Sequence, residues 1–172
     1  ATNIYETIDF DKAIRVAYHF YEQHPDETLI VVTADHETGG LALGNNQPLR
    51  LERLAHQQCS SDTLSARLSA LCKQYADQLT WMQMKAFLAE NMGLFDELSV
   101  NAEEEIVLQT AFNNMMREQE SQKTLYADIN ALAAKAKEIV NQKAGLGWTT
   151  HGHTATAVPV FAVGVGAERF TG

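Results

Sequence analysis

The chain has 172 residues, of which 45% are hydrophobic, and a formal net charge of −9 at pH 7. This length lies in the ordinary range for a domain with a buried core, and the apolar share excludes an intrinsically disordered protein. No apolar run approaches the roughly 20 residues that cross a bilayer. The negative charge argues against nucleic acid or an anionic membrane as a partner, because both are bound by an excess of Lys and Arg. Phosphate binding remains possible, since metal ions can supply positive charge locally.

The first elements alternate between helix and strand. Apolar residues at three-to-four spacing predict an amphipathic helix over residues 9–23, with Asp9 as its N-cap and Pro25 ending it. The β-branched run that follows predicts a strand over residues 28–34, of the kind buried in a parallel sheet. Leu41–Leu43 is a candidate second strand. This order of helix and strand is typical of a layered α/β fold.

Residues 62–143 are predicted to be helical almost throughout. Ser60 or Ser61 is expected to cap the first helix, and Thr80 the second, which ends at Gly93. The apolar stripe of the first helix should face a core. Its members are Leu64, Leu68, Leu71 and Tyr75.

The last part of the chain returns from helix to strand. Asn101, followed by three glutamates, predicts another helix start, because the helix macrodipole favours acidic groups there. A final helix over roughly residues 123–143 ends at Gly145, and Ala157–Val163 reads as a strand. Pro159 makes that strand an edge strand or marks its start. The chain opens on a helix at Ala1 without a basic-then-apolar leader, and we expect it to be a piece of a longer protein.

Asp35 and His36 stand where the first predicted strand ends. Ligands of open α/β sheets bind outside the carboxyl ends of the strands, and carboxylate and imidazole are natural ligands of zinc. Gly39 and Gly40 supply backbone freedom just beyond the pair. An isolated Asp-His pair can also be an N-cap aspartate beside a histidine bonded to backbone. Glu37 is expected to orient an imidazole or to face solvent rather than to bind the ion.

His151 and His153 form a second candidate metal segment. In an extended chain, residues i and i+2 share a face, so the two imidazoles could chelate one ion together. A second possibility is that only one of them is a ligand. The residues alone leave both possibilities open.

Two segments resemble the zinc-ligand segments of bacterial alkaline phosphatases. They are Thr33–Gly40, with the sequence TADHETGG, and Gly147–Thr154, with the sequence GWTTHGHT. The resemblance implies that Asp35 and His36 bind one zinc ion and that His153 binds the other, with His151 as a neighbour. It also implies a magnesium ion, whose ligands lie upstream of this chain together with the serine nucleophile and a phosphate-binding arginine.

The same resemblance implies the wider setting of the chain. The intact enzyme would hydrolyse phosphate monoesters, form a homodimer and act in the periplasm or outside the cell. This chain would be the C-terminal part, completed by the missing N-terminal part of the same protein. We expect it to be inactive alone, because its serines all fall in the helical region, away from both metal segments.

The fold expected from these observations is α/β: the C-terminal part of a three-layer alkaline-phosphatase-like sheet, with a large all-helical insertion. Residues 1–48 would form a core segment that carries the Asp-His motif. Residues 49–145 would form the insertion, and residues 146–172 would return to the core with the His-Thr motif.

Two alternative hypotheses are kept. The chain could be a self-sufficient helical interaction module with an incidental metal site. That alternative is favoured if the apolar stripes of residues 62–143 pack among themselves and the flanking strands pair only with each other. Sulfatases, phosphodiesterases and cofactor-independent phosphoglycerate mutases also share an Asp-His metal segment. The Gly147–Thr154 segment favours the phosphatase.

Overall fold

The computed structural model describes residues 2–44, 47–117, 122–150 and 152–170, and of residues 122–128 the backbone alone. The helices in these ranges are α1 (Thr2–Gln23), α2 (Ser61–Tyr75), α3 (Trp81–Met92), α4 (Ala102–Arg117) and α5 (Gln122–Lys143). The strands are β1 (Leu29–Val32), β2 (Leu41–Leu43), β3 (Leu146–Trp148) and β4 (Phe161–Gly164). Short 3₁₀ helices cover Leu51–His56, Ala76–Gln78 and Ala167–Phe170.

The chain divides into two compact units. The helical unit comprises Leu43–Gly147 and contains α2 to α5. The α/β unit comprises Thr2–Ala42 together with the described residues from Trp148 onward, and contains α1, β1 and β4. Strand β2 was expected from the sequence and is confirmed; it pairs with β3, which was not expected. No helix in the described part of the chain is long and apolar enough to cross a membrane.

Helix α1 begins at Thr2 rather than at residue 9, because the preceding residues contain no glycine or proline to stop it. Asp9 therefore lies inside the helix and forms an ion pair with Lys12 at 2.8 Å, so its assignment as N-cap is wrong. The helix is amphipathic in sequence, yet none of its residues is buried. Phe10 and Tyr18, expected on the covered face, are 54% and 45% exposed.

Strand β1 pairs with β4 in antiparallel orientation. Leu29 lies opposite Gly164, and Val32 lies opposite Phe161. The assignment of β1 to a buried parallel pair is therefore wrong for the described residues. Exposed and half-buried side chains alternate along β1, as in a strand with one covered face. An apolar run indicates strand character but not the direction of the neighbouring strand. Pro159 lies just before β4, so its expected place near the strand start is confirmed.

Local signals define the ends of the first helices in the helical unit. The Ser60 side chain accepts a hydrogen bond from the backbone N–H of Thr63 at 3.2 Å and so caps α2. Thr80 and Gln83 form a reciprocal capping box at the start of α3. Gly93 ends α3 in the left-handed conformation, with φ 71°. All three expectations from the sequence are confirmed.

Helix α4 begins with a similar reciprocal cap and is tied to α5. Asn101 Oδ1 accepts from the backbone N–H of Glu104 at 2.9 Å, and the Glu104 carboxylate accepts from the backbone N–H of Asn101 at 2.8 Å. The same carboxylate pairs with Lys143 at 2.7 Å, and the two side chains are only 18% and 14% exposed. Each charge lies at the helix end that the macrodipole favours, so the pair fastens the end of α5 to the start of α4.

The buried hydrophobic side chains of the described residues all lie between Leu54 and Leu146, within the helical unit. Helix α5 contacts α2, α3 and α4 and so forms the centre of the bundle. The predicted stripe of α2 is confirmed at Leu64 and Leu68, but Cys72 continues it in place of Leu71 and Tyr75, because positions four apart share one helix face. The largest fully buried side chains are Leu64, Leu68, Met84, Leu88, Met92, Leu94, Leu108, Met115, Ile129, Leu132 and Val140.

Candidate metal centre

Asp35 and His36 lie in the loop that leaves the C-terminal end of β1. The aspartate side chain is 85% exposed and the histidine side chain 36%. Asp35 Oδ1 accepts a hydrogen bond from the backbone N–H of His36 at 2.9 Å. The second oxygen, Oδ2, lies 3.5 Å from His36 Nε2. The first oxygen thus orients the carboxylate, and the second faces the imidazole.

The hydrogen bonds of His36 decide which ring nitrogen can bind a metal. Its Nδ1 lies 2.6 Å from the carbonyl oxygen of Glu37. A carbonyl only accepts, so Nδ1 carries the proton and the neutral ring keeps its lone pair on Nε2, the atom that faces Asp35. Two ligands of one tetrahedral zinc ion, each at about 2.0–2.1 Å from it, lie roughly 3.3 Å apart. The donor types and the 3.5 Å separation of Asp35 Oδ2 and His36 Nε2 therefore fit one such ion.

His153 lies against His36 although the two are far apart in sequence. Their rings are stacked, with centroids 3.5 Å apart and planes inclined by 22°. The three residues expected to be ligands thus include two that are in direct contact across the two motif segments. His151 lies outside the described residues, so joint chelation by His151 and His153 stays untested.

The carboxylate of Glu37 connects the two motif segments. Oε2 accepts from the backbone N–H of Thr154 at 2.7 Å and also from the Thr154 hydroxyl, and Oε1 accepts from the backbone N–H of Gly40. The Thr154 hydroxyl lowers the pKa of Glu37 most; partial burial opposes this, and the backbone N–H groups of Gly40, Thr154 and Gly39 lower it further. Of the two expectations for Glu37, a carboxylate that faces solvent is wrong, because it bonds to Thr154 and Gly40; that it orients an imidazole stays a prediction.

The two glycines allow the segments to approach closely. Both have positive φ, 92° at Gly39 and 61° at Gly40, as their expected conformational role requires. The carbonyl oxygen of Gly39 accepts from the backbone N–H of Thr149 at 2.8 Å. A Cβ on Gly40 would lie 2.5 Å from Thr149 Oγ1, and one on Gly39 would lie 3.0 Å from the carbonyl oxygen of Thr150. Side chains at these positions would push the second segment away.

The described residues do not complete a metal site. No group of three His, Cys, Asp or Glu side chains in them is arranged to hold one ion. The α/β unit contains no serine that could act as a nucleophile.

Sequence reasoning did not identify Thr154 as a partner of Glu37. The only signal for it was its place directly after His153 in the motif.

Known alkaline phosphatases resemble this chain in both sequence and structure. The family model described as alkaline phosphatase matches residues 1–172. The repressible alkaline phosphatase of Saccharomyces cerevisiae is 26% identical and matches 94% of this chain, and alkaline phosphatase 4 of Bacillus subtilis is 31% identical and matches 97%. The crystal structure of a cold-active alkaline phosphatase from a psychrophilic Shewanella species matches 97% of the chain at a TM-score of 0.60 and 31% identity.

The match covers only a small part of each relative's own length. The chain spans 27% of the yeast enzyme, 31% of the Bacillus enzyme and 35% of the Shewanella chain. This share agrees with the expectation that the sequence is a piece of a longer protein. Since the family model matches every residue from 1 to 172, both motif segments included, the chain belongs to the alkaline phosphatase family.

Proposed function

We propose that Asp35, His36 and His153 supply metal ligands to a phosphomonoesterase, with Asp35 and His36 at one zinc ion and His153 at a second. The observation that carries this proposal is the stacking of His36 on His153 at 3.5 Å, which joins the two motif segments in one place. When bound, a pair of zinc ions supplies positive charge that stabilises the attacking and leaving oxygens of phosphoryl transfer.

The ring geometry favours one ion for each histidine. The two imidazoles are stacked face to face with their centroids 3.5 Å apart, and an imidazole binds a metal through a nitrogen at the edge of its ring. Each ring would therefore offer its own edge to an ion. In this arrangement Asp35 and His36 would bind one zinc ion together, and His153 would bind the second.

The wider proposal concerns the intact protein. We propose that it hydrolyses phosphate monoesters, and that the serine nucleophile, the magnesium ligands and the remaining zinc ligands come from sequence outside this chain. The chain would be its C-terminal part, with residues 49–145 inserted between core segments 1–48 and 146–172 of a three-layer fold. A homodimer located in the periplasm or outside the cell completes the proposal. Family membership and the names of the relatives support it.

A second candidate is an interaction module formed by the helical unit. It is favoured by the packing: the buried apolar side chains lie within that unit, and the described strands pair only with each other. The match of residues 1–172 to one enzyme family favours the phosphatase, since it includes the α/β unit as well. Removal of residues 2–42 and 148–170 would separate the two candidates. A module would keep its partner in a pull-down, whereas a phosphatase insertion would show no binding of its own.

Calorimetric titration of the whole chain with zinc tests the metal site. With so few of the ligands present, we expect weak binding, with a Kd roughly in the micromolar range or above. His36→Ala and His153→Ala should each weaken it about tenfold or more, which is about 1.4 kcal/mol. His56→Ala, in the helical unit, is the matched control and should bind as the parent chain does. Tight binding lost equally in His151→Ala and His153→Ala would instead indicate a self-contained His-x-His site and contradict the proposal.

We also expect the chain alone to leave an aryl phosphate unhydrolysed. Turnover that a chelator abolishes would contradict the proposal that the nucleophile lies elsewhere.

A further inference from the structure

We propose that Glu37 is a positioning residue that holds His153 against His36 through its bond to Thr154. Each partner of this bond directly follows one of the two histidines in the chain: Glu37 follows His36, and Thr154 follows His153. A contact between the followers therefore fixes the separation of the two imidazole-bearing residues. The importance of this positioning role for catalysis rests on the proposed function, whereas the positioning of the two histidines does not.

The hydrogen bonds of Glu37 give it two anchors. One oxygen receives two bonds from Thr154, from the backbone N–H at 2.7 Å and from the hydroxyl. The other oxygen receives the backbone N–H of Gly40 and so holds the loop that carries Asp35 and His36. Hydrogen bonds to an ionised carboxylate are shorter and stronger than those between neutral groups. One side chain thus links both motif segments.

Other bonds between the segments lie further from His153. The backbone N–H groups of Thr149 and Thr150 donate to the carbonyl oxygen of Gly39 at 2.8 and 3.2 Å. Beyond the histidine, the Thr33 hydroxyl donates to the carbonyl oxygen of Pro159 at 3.2 Å. Within the described residues, the bond from Glu37 to Thr154 is the cross-link nearest to His153. We therefore expect its loss to free the imidazole while the outer bonds keep the segments together.

The experiment is NMR of the whole chain with labelled histidine rings, first without metal and then during a zinc titration. Stacked rings at 3.5 Å give a nuclear Overhauser effect between His36 and His153 and shift each other's ring protons. Glu37→Ala should abolish this effect and weaken zinc binding roughly 10–100-fold, as is usual when a partner that orients a ligand is lost. Thr154→Val loses the hydroxyl but keeps the backbone N–H bond to Glu37, so it should weaken both the effect and zinc binding by a smaller factor. Thr154→Ser, which keeps the hydroxyl, should retain both.

The controls separate positioning from general damage. Thr156→Val removes a neighbouring hydroxyl and should leave the His36–His153 contact intact, since Glu37 keeps both bonds to Thr154. The signals of His19 on α1 and of His24, directly after α1, report the fold of the same unit and should stay in place in every variant. If Glu37→Ala disturbs them, the pair Thr154→Val and Thr154→Ser decides the question.

The outcomes distinguish failure of the positioning role from failure of the proposed function. An unchanged His36–His153 effect in both Glu37→Ala and Thr154→Val overturns the positioning role, even where zinc binding still depends on the two histidines. Loss of the effect in Glu37→Ala, together with its weakening in Thr154→Val, supports the role. If zinc binding to the parent chain is at the same time indifferent to His36→Ala and His153→Ala, the proposed function fails and the positioning role stands.

Discussion

The helical unit and the α/β unit differ in how completely they bury their apolar side chains. The helical unit contains every buried hydrophobic side chain of the described residues. In the α/β unit, Gly39 is the one described residue that is buried. Burial of apolar surface is the main stabilising contribution to a fold, so the helical unit has the means to fold by itself. The unit that carries Asp35, His36 and His153 has far less.

Most of the large apolar side chains that remain exposed belong to the α/β unit. They are Tyr5, Ile8, Phe10, Val16, Tyr18, Phe20, Leu29, Val31, Leu41, Trp148, Val160, Phe161, Val165 and Phe170. Large apolar side chains exposed in such number indicate a surface that another part of a protein covers. Because the chain spans about a third or less of its relatives, we expect further chain of the same protein to cover it. We therefore expect the helical unit to be self-contained, and the α/β unit, which holds the candidate site, to depend on that further chain.

The largest expected effect is a difference in the free energy of unfolding between variants of two leucines, one in each unit. Leu68 is fully buried in α2, and Leu29 in β1 is 42% exposed. Leu68→Ala should lower the free energy of unfolding by about 2–5 kcal/mol, because it leaves a cavity. Leu29→Ala should lower it by about 1 kcal/mol or less. Urea unfolding followed by circular dichroism measures both. An equal loss in the two variants would remove the distinction between the units.

A smaller effect is expected from glycines within the α/β unit. Gly40 and Gly166 both have positive φ, 61° and 84°, but an added Cβ meets Thr149 only at Gly40. Gly40→Ala should destabilise the unit by about 1–3 kcal/mol, from backbone strain together with this clash. Gly166→Ala, the matched control, should cost about 1 kcal/mol from strain alone. Thermal unfolding followed at the ¹⁹F signal of Trp148 as fluorotryptophan gives both values, because Trp81 lies in the other unit. A larger loss at Gly166 would contradict the close approach of Thr149.

The smallest effect is a pH dependence confined to the helical unit. Lys85 from α3 and the Trp81 indole N–H hold the pKa of Glu105 below its ordinary value of 4.5. The unfolded chain then binds this proton more readily, so the stabilisation is present above pH 4.5 and is lost as the pH falls through the folded value. The stability difference between the parent and Glu105→Gln should therefore shrink in urea titrations from pH 7 down to pH 3. A difference that grows on acidification would contradict the sign.

Features that depend on neighbouring residues could be predicted from the sequence. The caps at Ser60 and Thr80 and the glycine stop at Gly93 act on backbone groups within about one helical turn, so their residue types suffice. The assignment of Asp9 as an N-cap was wrong, because residue type alone does not decide it. An aspartate can cap a helix, but it can also lie inside one and pair with a lysine, as Asp9 does with Lys12. Local chemistry thus predicted most helix ends but not the start of α1.

Features that join distant parts of the chain could not be predicted in this way. The antiparallel partner of β1 and the bond from Glu37 to Thr154 both join residues more than 100 positions apart. Neither periodicity nor residue type carries that information. Asp35, His36 and His153 were selected from their motifs and a family resemblance, and their role as ligands stays a prediction. The contact of His36 with His153 is the part of the site that only the structure supplies.

One tryptophan in each unit allows the comparison and the candidate site to be tested together. Trp81 lies in the helical unit, and Trp148 lies in the α/β unit, beside Gly39 of the metal-motif loop. With both residues as fluorotryptophan, and the signals assigned through Trp148→Phe, ¹⁹F NMR follows urea unfolding of each unit with and without zinc. We predict that the Trp148 signal unfolds at lower urea and that zinc raises its midpoint alone, because a ligand stabilises only the unit that binds it. A zinc effect shared equally by both signals, or confined to Trp81, would contradict the account.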